Sequence, residues 1–375
     1  MGKGNTFPYL FIDFMILILG QSSLDFPTEY VHDWLKYFKV ECKRINGSDL
    51  ISHFNFSLSL DFSSKSLHWN SLSFDVSNIS AVWIRRWMNF EYFKKIDLSG
   101  KIVTDIAQQL HVTDISCKGM EASISMLAIL TLEVNEQLER EFRALSHYFF
   151  ELLKGKPTLG LSYYSGKDPS KATQLLLAQE AGLVVPATII TDSRERLKGF
   201  LEKNSKVICK NLSEIGFFHF FNSSSATYTT LLSEDEIEKL PEKFYPSLFQ
   251  EAIDKEFEIR VFFLDETLYS MAIFSANDKK TEIDFRRYNY SKPNRMVPML
   301  LPASIEQKIR EFMHKAKLTT GSLDLIYSTK GEYVFLEVNP GGQFSMVSYP
   351  CNYYLEKKVA QHLIKLSQDE TRNEA

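Results

Sequence analysis

Cysteine is scarce and scattered in this chain. Its four cysteines, Cys42, Cys117, Cys209 and Cys351, form no CxxC pair and lie far apart along 375 residues. That pattern excludes a thiolate zinc site and a disulfide framework, and reads as reduced thiols in a cytoplasmic protein. Net charge is nearly absent too. The formal value of −4 gives no global pull toward nucleic acid or an anionic membrane, so any site for a polyanion must be local. No apolar run is long enough to span a bilayer, which takes about 20 residues. The best candidate, "YLFIDFMILILG", contains Asp13 and lacks a small-residue cleavage site. It reads instead as a first β-strand, Met15 to Leu19, turning at Gly20, with residues 1–14 a dispensable extension ahead of a start at Met15. Internal repeats, low-complexity tracts and the spacing of a Ser or Cys catalytic triad are also missing. Apolar and aromatic residues are plentiful: 44% of the chain is hydrophobic, with 29 Phe and 17 Tyr. At this length the material suffices for two or three domains.

The first region alternates strand and helix signals. "MILIL" reads as a strand, "PTEYVHDWLKYF" as a helix, and "VECKRI" and "ISAVWIRRW" as further strands, which predicts a parallel α/β layer. The alternating stretch "SHFNFSLSLDFSSKSLHWNSLSFDVS" suits a hairpin or meander. From Glu121 to Leu153 the apolar spacing predicts one long helix ending at "GKPTLG". A second unit starts near Ser165: "DPSKATQLLLAQEAGLVVPATIITDS" reads as a capped helix, a stop at Gly182 and a strand, followed by "ERLKGFLEKN" as helix and "KVICK" as strand. "PSLFQEAI" and "FEIRVFFLDETLYSMAIFS" are assigned to a third unit, with the helix "SIEQKIREFMHKAKL", the strands "SLDLIYS" and "YVFLEV", and the closing helix "YYLEKKVAQHLIKLS". The expected domains are 1–160, 161–249 and 250–368, with 369–375 as a frayed tail.

The stretch "FLEVNPGGQF" carries the sharpest chemistry. Glu337 and Asn339 are two apart on a strand and share a face. The turn "STKGE" folds "SLDLI" back against that strand, which sets Asp324 opposite or diagonal to Glu337 on the same face. Asp324, Glu337 and Asn339 offer only oxygen donors, a set suited to Mg²⁺ with substrate phosphates. Pro340-Gly341-Gly342 then breaks the strand. Alone, the motif reads equally well as an ordinary hairpin end. Lys210 closes a buried strand, where it either delivers a cation to a cleft or snorkels to solvent. Glu258 and Arg260 share a strand face, as a site pair or a cross-strand ion pair. Arg286 and Arg287 are adjacent, so at most one faces any site if the segment is extended.

The order of these features is more specific than any one of them: a strand-end lysine, "QEAI", "ExR", "DFRR", "DLI", then "ExNPGGQ". This order resembles the ATP-grasp superfamily across roughly Ser165 to Leu366. Within it the chain is most similar to graspetide synthetases, which include the microviridin maturases. "AVWIRRW", "TQLLLAQEAGLVVPATIITDS" and "KGEYVFLEVNPGGQF" resemble the grasp-with-spasm peptide maturase branch. The resemblance implies a multidomain α+β and α/β protein, an ATP-grasp fold preceded by a pre-ATP-grasp α/β domain. It implies an ATP-dependent, ADP-forming ligase that activates Asp or Glu side chains of a ribosomal precursor peptide as acyl phosphates and closes ester or amide macrocycles.

Carried onto this sequence, the resemblance assigns Lys171 and Lys210 to the α- and β-phosphates. Gln250, Glu251, Ala252 and Ile253 become the adenine hinge, through backbone groups around Glu251 and Ala252, and Glu258 the ribose acceptor. Arg260 would reach the γ-phosphate, Asp324, Glu337 and Asn339 would hold two Mg²⁺ ions, and Arg286 would steady the transferred phosphoryl group or the acyl phosphate. The implied partner is a precursor peptide with leader and core, with neither nucleic acid nor membrane, and a homodimer is left open. Arg287 and Gln343 join Arg85 and Arg86 as candidates for touching the peptide. In "VWIRRW", alternation places Val82, Ile84 and Arg86 on one face and Trp83, Arg85 and Trp87 on the other. Arg85 or Arg86 either pairs with local acids or stands at the cleft mouth to grip an acidic peptide. Two departures stand out: the phosphate-covering loop has only Gly216, and Ser170 precedes Lys171 where relatives often carry Asn. A ligase adding free amino acids to a protein or peptide would share this site, and a non-catalytic nucleotide-binding peptide scaffold is a third reading.

Overall fold

The computed structural model describes residues 15–21, 25–47, 56–60, 65–69, 72–87, 124–160, 170–212, 217–220, 223–226, 229–276, 291 and 293–373. In the first region β1 (Met15–Gly20), α1 (Phe26–Tyr37) and β2 (Glu41–Asn46) form a parallel crossover. A three-stranded meander follows, β3 (Phe56–Leu60), β4 (Lys65–Trp69) and β5 (Leu72–Asp75). Next come β6 (Ile79–Ile84), the long helix α2 (Ile124–Leu152) and β7 (Thr158–Gly160). The main sheet has the order β2-β1-β6-β7 and is parallel throughout, as the strand–helix alternation predicts. Both faces of β1 and β6 are covered, so they are continuous apolar runs rather than alternating ones. Gly160 ends β7 with φ +102°, and a Cβ there would lie 2.1 Å from Ile84 O, so only glycine fits.

The second region holds α3 (Lys171–Glu180), β8 (Thr188–Ser193), α4 (Arg194–Lys203), β9 (Val207–Lys210), the β10 (Phe217–Phe220) and β11 (Ser223–Ala226) hairpin, β12 (Thr230–Leu232), α5 (Glu234–Glu238) and β13 (Lys243–Glu251). Its sheet runs β12-β9-β13-β8, antiparallel at every pair. The third region holds β14 (Lys255–Leu264), β15 (Thr267–Phe274), β16 (Arg295–Met299), α6 (Ala303–Lys315), β17 (Thr320–Ser328), β18 (Tyr333–Asn339), α7 (Ser345–Cys351) and α8 (Leu355–Asn373). Its sheet runs β16-β15-β14-β17-β18.

Two assignments change. "PSLFQEAI", expected in the third unit, is the end of β13 and pairs with β8 and β9, so the chain changes sheets at 252–254. Helix α3, expected in the second unit, packs on the third: Leu175 and Ala178 join Ile259, Phe263, Phe312 and Phe335 in one core. Gln174 Oε1 seals that contact by accepting from the backbone of Val338 at 2.8 Å.

The first and third regions share a core as well. Ile16, Ile18, Leu35 and Trp83 pack with Phe262, Met271, Ile273, Phe344, Leu355 and Leu363. The sheet of β8, β9, β12 and β13 keeps a smaller core of its own around Leu197, Val207, Ile237 and Phe249. The described chain therefore has one large body and one small lobe attached through two short crossings. Phe262→Ala removes a shared-core side chain at a cost of about 3–5 kcal/mol. Hydrogen exchange should then show β1 and β15 losing protection together while β8 and β9 change less.

Candidate active site

A cavity of about 430 Å³ lies between the small lobe and the third-region sheet. Its floor is set by strand register. Arg260 on β14 lies directly across from Asp324 on β17, and Asp324 lies directly across from Glu337 on β18. Arg260 Nη1 bonds Asp324 Oδ1 at 2.5 Å, and Lys171 Nζ reaches Glu337 Oε2 at 3.6 Å. The row therefore sets two adjacent carboxylates, Asp324 and Glu337, between two cations, Arg260 and Lys171. It decides the register left open above in favour of directly opposite carboxylates.

Beside this row β18 carries a β-bulge. Asp324 pairs with Glu337 but Leu325 pairs with Phe335, so Leu336 is the extra residue. Phe335 and Val338 stay in the core, while Leu336 and Glu337 both line the cavity. The bulge thus adds an apolar wall that strict alternation does not predict.

Lys171 is the first residue of α3, where the helix dipole disfavours a cation. Ser170 caps that helix, its Oγ accepting from Thr173 N at 3.2 Å, so serine supplies the capping oxygen at this position. The cation is held instead by Glu337.

On the opposite wall Lys210 ends β9 and donates to Gln250 Oε1 at 2.9 Å. Gln250 is 1% exposed and its Nε2 donates to Thr188 Oγ1 at 3.1 Å. The glutamine side chain is therefore a strut that fixes Lys210, a role separate from the backbone hinge assigned to it from sequence. At the hinge, Glu251 N donates to Ala187 O and Ala252 N to Lys206 O, at 2.9 and 3.0 Å. Both N–H groups are thus committed within the fold, which leaves the carbonyls of this stretch and the N–H of Ile253 as the backbone groups that the hinge expectation can draw on.

Sequence reasoning missed Lys255. Three residues before Glu258, it belongs on the other face of a regular strand. A second bulge, between Lys255 and Phe257, turns it back, and it pairs with Glu258 Oε1 inside the cavity wall. Ser275 Oγ donates to the same oxygen at 2.8 Å. Burial still pushes the Glu258 carboxyl above the usual range, with Lys255 and then Ser275 pulling it back down.

The Pro340-Gly341-Gly342 turn brings the first region to this site. A Cβ at Gly341 would lie 3.4 Å from Asn339 Oδ1 and 3.6 Å from Arg85 O and Arg86 Nε. Arg85 is 2% exposed, paired with Asp25 at 3.4 Å and lying over the Phe344 ring. Burial lowers its pKa to about 10, so it remains charged at neutral pH. It is a strut beneath the turn, and its pairing and burial decide for Arg85 the alternative of a local acid over the cleft mouth. Arg86 is the half-buried member of the pair, and Gln343 is exposed. Trp87 packs on Phe149 and Phe150 with Val82 and Ile84, opposite to the side expected, because β6 ends at Ile84 and alternation stops there. Arg286 and Arg287 lie outside the described residues.

The donor set fits magnesium shared with a ligand. Among the described residues no three His, Cys, Asp or Glu side chains converge on one point. Asp324 and Glu337 line the cavity, and Asn339, which does not, lies two residues further along β18 on the same face; together they would supply part of an oxygen shell that phosphate oxygens and water would complete. No described helix is long and apolar enough to cross a membrane.

No family model and no curated protein matches the chain. Solved structures do. A RiPP-associated ATP-grasp ligase of Chryseobacterium gregarium, solved with ADP and a leader and core peptide, superposes with a TM-score of 0.72 at 23% identity, over 94% of this chain and 97% of that one. The macrocyclase MdnC of Microcystis aeruginosa MRC, bound with precursor peptide MdnA, gives 0.71 at 21% identity, over 93% and 99%. The ATP-grasp ligase PsnB, complexed with minimal precursor, Mg and ADP, gives 0.65 at 18%, over 94% and 97%. At these identities the likeness shows the fold: this chain has the ATP-grasp fold, first region included.

The Lys255–Glu258 pair gives a pH-dependent test. Glu258 has a folded-state pKa raised above its unfolded value, so the stability it allows is full at low pH and is lost as pH rises through the folded pKa. Lys255→Met removes the nearest compensating charge and should deepen that loss. The variant should be destabilised by about 3 kcal/mol at neutral pH, converge on the parent in acid, and recover when Glu258→Gln is added. Thermal melts across pH read all three.

Proposed function

We propose that this protein is an ATP-dependent peptide ligase that activates Asp or Glu side chains of a ribosomal precursor peptide and joins them to Thr, Ser or Lys side chains of the same peptide. The observation that carries the reading is the cavity itself. Lys171, Lys210 and Lys255 surround a slot whose floor holds the paired carboxylates Asp324 and Glu337. A polyphosphate with its divalent ion complements that charge pattern, and the apolar residues Ile208, Leu231, Ile326 and Leu336 suit a purine.

In this reading the base lies at the hinge with Ile253 N–H as donor, and Glu258 takes the ribose hydroxyls. Lys171 and Lys210 neutralise the α- and β-phosphates. Arg260 exchanges Asp324 for the γ-phosphate, and Arg286 would act on the same group. Mg²⁺ on Asp324, Glu337 and Asn339 would supply charge neutralisation at the phosphates. A peptide carboxylate oxygen bonds the γ-phosphorus, the bond to the β-phosphate oxygen breaks, and ADP leaves with that electron pair. The hydroxyl or amine of a second side chain then attacks the acyl carbon, phosphate departs, and the nucleophile gives up a proton. No protein nucleophile is needed, since positioning and electrostatics carry phosphoryl transfer.

Co-expression with a short acidic precursor tests the function: mass spectrometry should show the loss of one water per bond formed. Glu337→Gln keeps shape but removes one charge from the phosphate end, and should slow modification by at least about a hundredfold. Mg²⁺-ATP should raise its melting temperature less than it raises the parent's. Parental turnover with an unchanged shift would reduce the motif to a hairpin end.

A further inference from the structure

The parallel sheet of the first region has a switch point. From β1 the chain crosses to β2 on one side, while β6 and β7 stack on the other. In open parallel sheets, ligands settle outside the carboxyl ends of the strands at such a point. Here those ends are Gly20 and Ile84, and arginines stand beyond them. A Cβ at Gly20 would lie 2.7 Å from Asn46 Oδ1 and 3.3 Å from Arg44 Nε, so a bare glycine lets Arg44 lie across the end of β1. Arg44 is matched by Glu29 and Arg85 by Asp25. No carboxylate among the described residues is paired with Arg86, whose Nε borders the glycine that Asn339 also borders.

We propose that Arg86, just beyond the end of β6 and beside the Pro340-Gly341 turn, receives the carboxylate about to be phosphorylated. The proposal rests on the reading of the cavity as an ATP site. An attacking oxygen must stand about 3–3.5 Å from the phosphorus, so its holding site has to lie near the expected metal ligands, and Arg86 borders Gly341 together with one of them, Asn339. Bringing an anion to a polyphosphate also needs a cation that is not already neutralised. Arg260 and Lys171 are paired with Asp324 and Glu337, whereas Arg86 is half-buried and has no carboxylate partner among the described residues. Its planar fork can hold a carboxylate through parallel N–H bonds and leave a lone pair for attack. That oxygen bonds the γ-phosphorus as the bond to ADP breaks, and no proton moves in the step.

The test uses the full chain with Mg²⁺-ATP and N-acetylglutamate α-amide as a single-carboxylate probe, with hydroxylamine trapping the acyl phosphate as a hydroxamate. N-acetylglutamine α-amide is the control and should give none. Arg86→Ala should raise the half-saturating probe concentration at least about tenfold, with half-saturating Mg²⁺-ATP unchanged. Arg86→Lys should recover part of the loss, keeping charge without the fork. An unchanged probe requirement in Arg86→Ala overturns the proposal. So does a parent that yields no hydroxamate although Mg²⁺-ATP raises its melting temperature, which leaves the nucleotide reading standing. A parent that binds no Mg²⁺-ATP overturns the nucleotide reading itself.

Discussion

Arg260, Asp324 and Glu337 lie in one row across three hydrogen-bonded strands, and the rest of the site depends on that register. Two carboxylates directly opposite on neighbouring strands repel one another. The fold tolerates them because Arg260 flanks Asp324 on one side and Lys171 reaches Glu337 on the other. Part-buried ion pairs of this kind add little net stability, since desolvation offsets their attraction. An apolar row would pack as well, so the charges are better explained by chemistry than by folding. Nucleotide binding in this account is an exchange of partners: phosphates take the cations, and the metal takes the carboxylates.

The two-body construction fits that exchange. The large body, with its shared core, fixes the carboxylate row, Arg86 and the Pro340-Gly341 turn relative to one another. The small lobe carries Lys210, fixed by Gln250, and joins the large body at 252–254 and again after Gly182. Its core is separate from the one beneath the carboxylate row. Lys255 stands at the start of β14, beside the crossing, so its pairing with Glu258 anchors the wall nearest the hinge.

Which of these side chains share a strand face is legible in the sequence wherever period-two alternation holds. Glu337 with Asn339, Glu258 with Arg260, and Lys210 at the end of an apolar strand all follow from spacing. Reading fails where the backbone departs from that period. Lys255 and Leu336 face the cavity only because bulges at β14 and β18 turn them, and a bulge leaves no residue signature here. Trp87 was placed on the wrong side because β6 ends at Ile84. The assignments of α3 and β13 failed for another reason: their sheet and core partners are distant in sequence, and local pattern carries no record of them. Arg85 and Arg86 are equivalent as letters; only the positions of Asp25 and Phe344 separate the strut from the guanidinium without a carboxylate partner among the described residues.

The central claim is that a peptide carboxylate is phosphorylated in this cavity before a bond is closed. Isotope transfer tests it most directly. A precursor peptide carrying oxygen-18 in its Asp and Glu side chains would be modified by the protein, and the released phosphate analysed by mass. The account predicts one heavy oxygen in the phosphate for each bond formed, because the attacking oxygen leaves with the phosphoryl group. Phosphate without label, alongside a modified peptide, would contradict it.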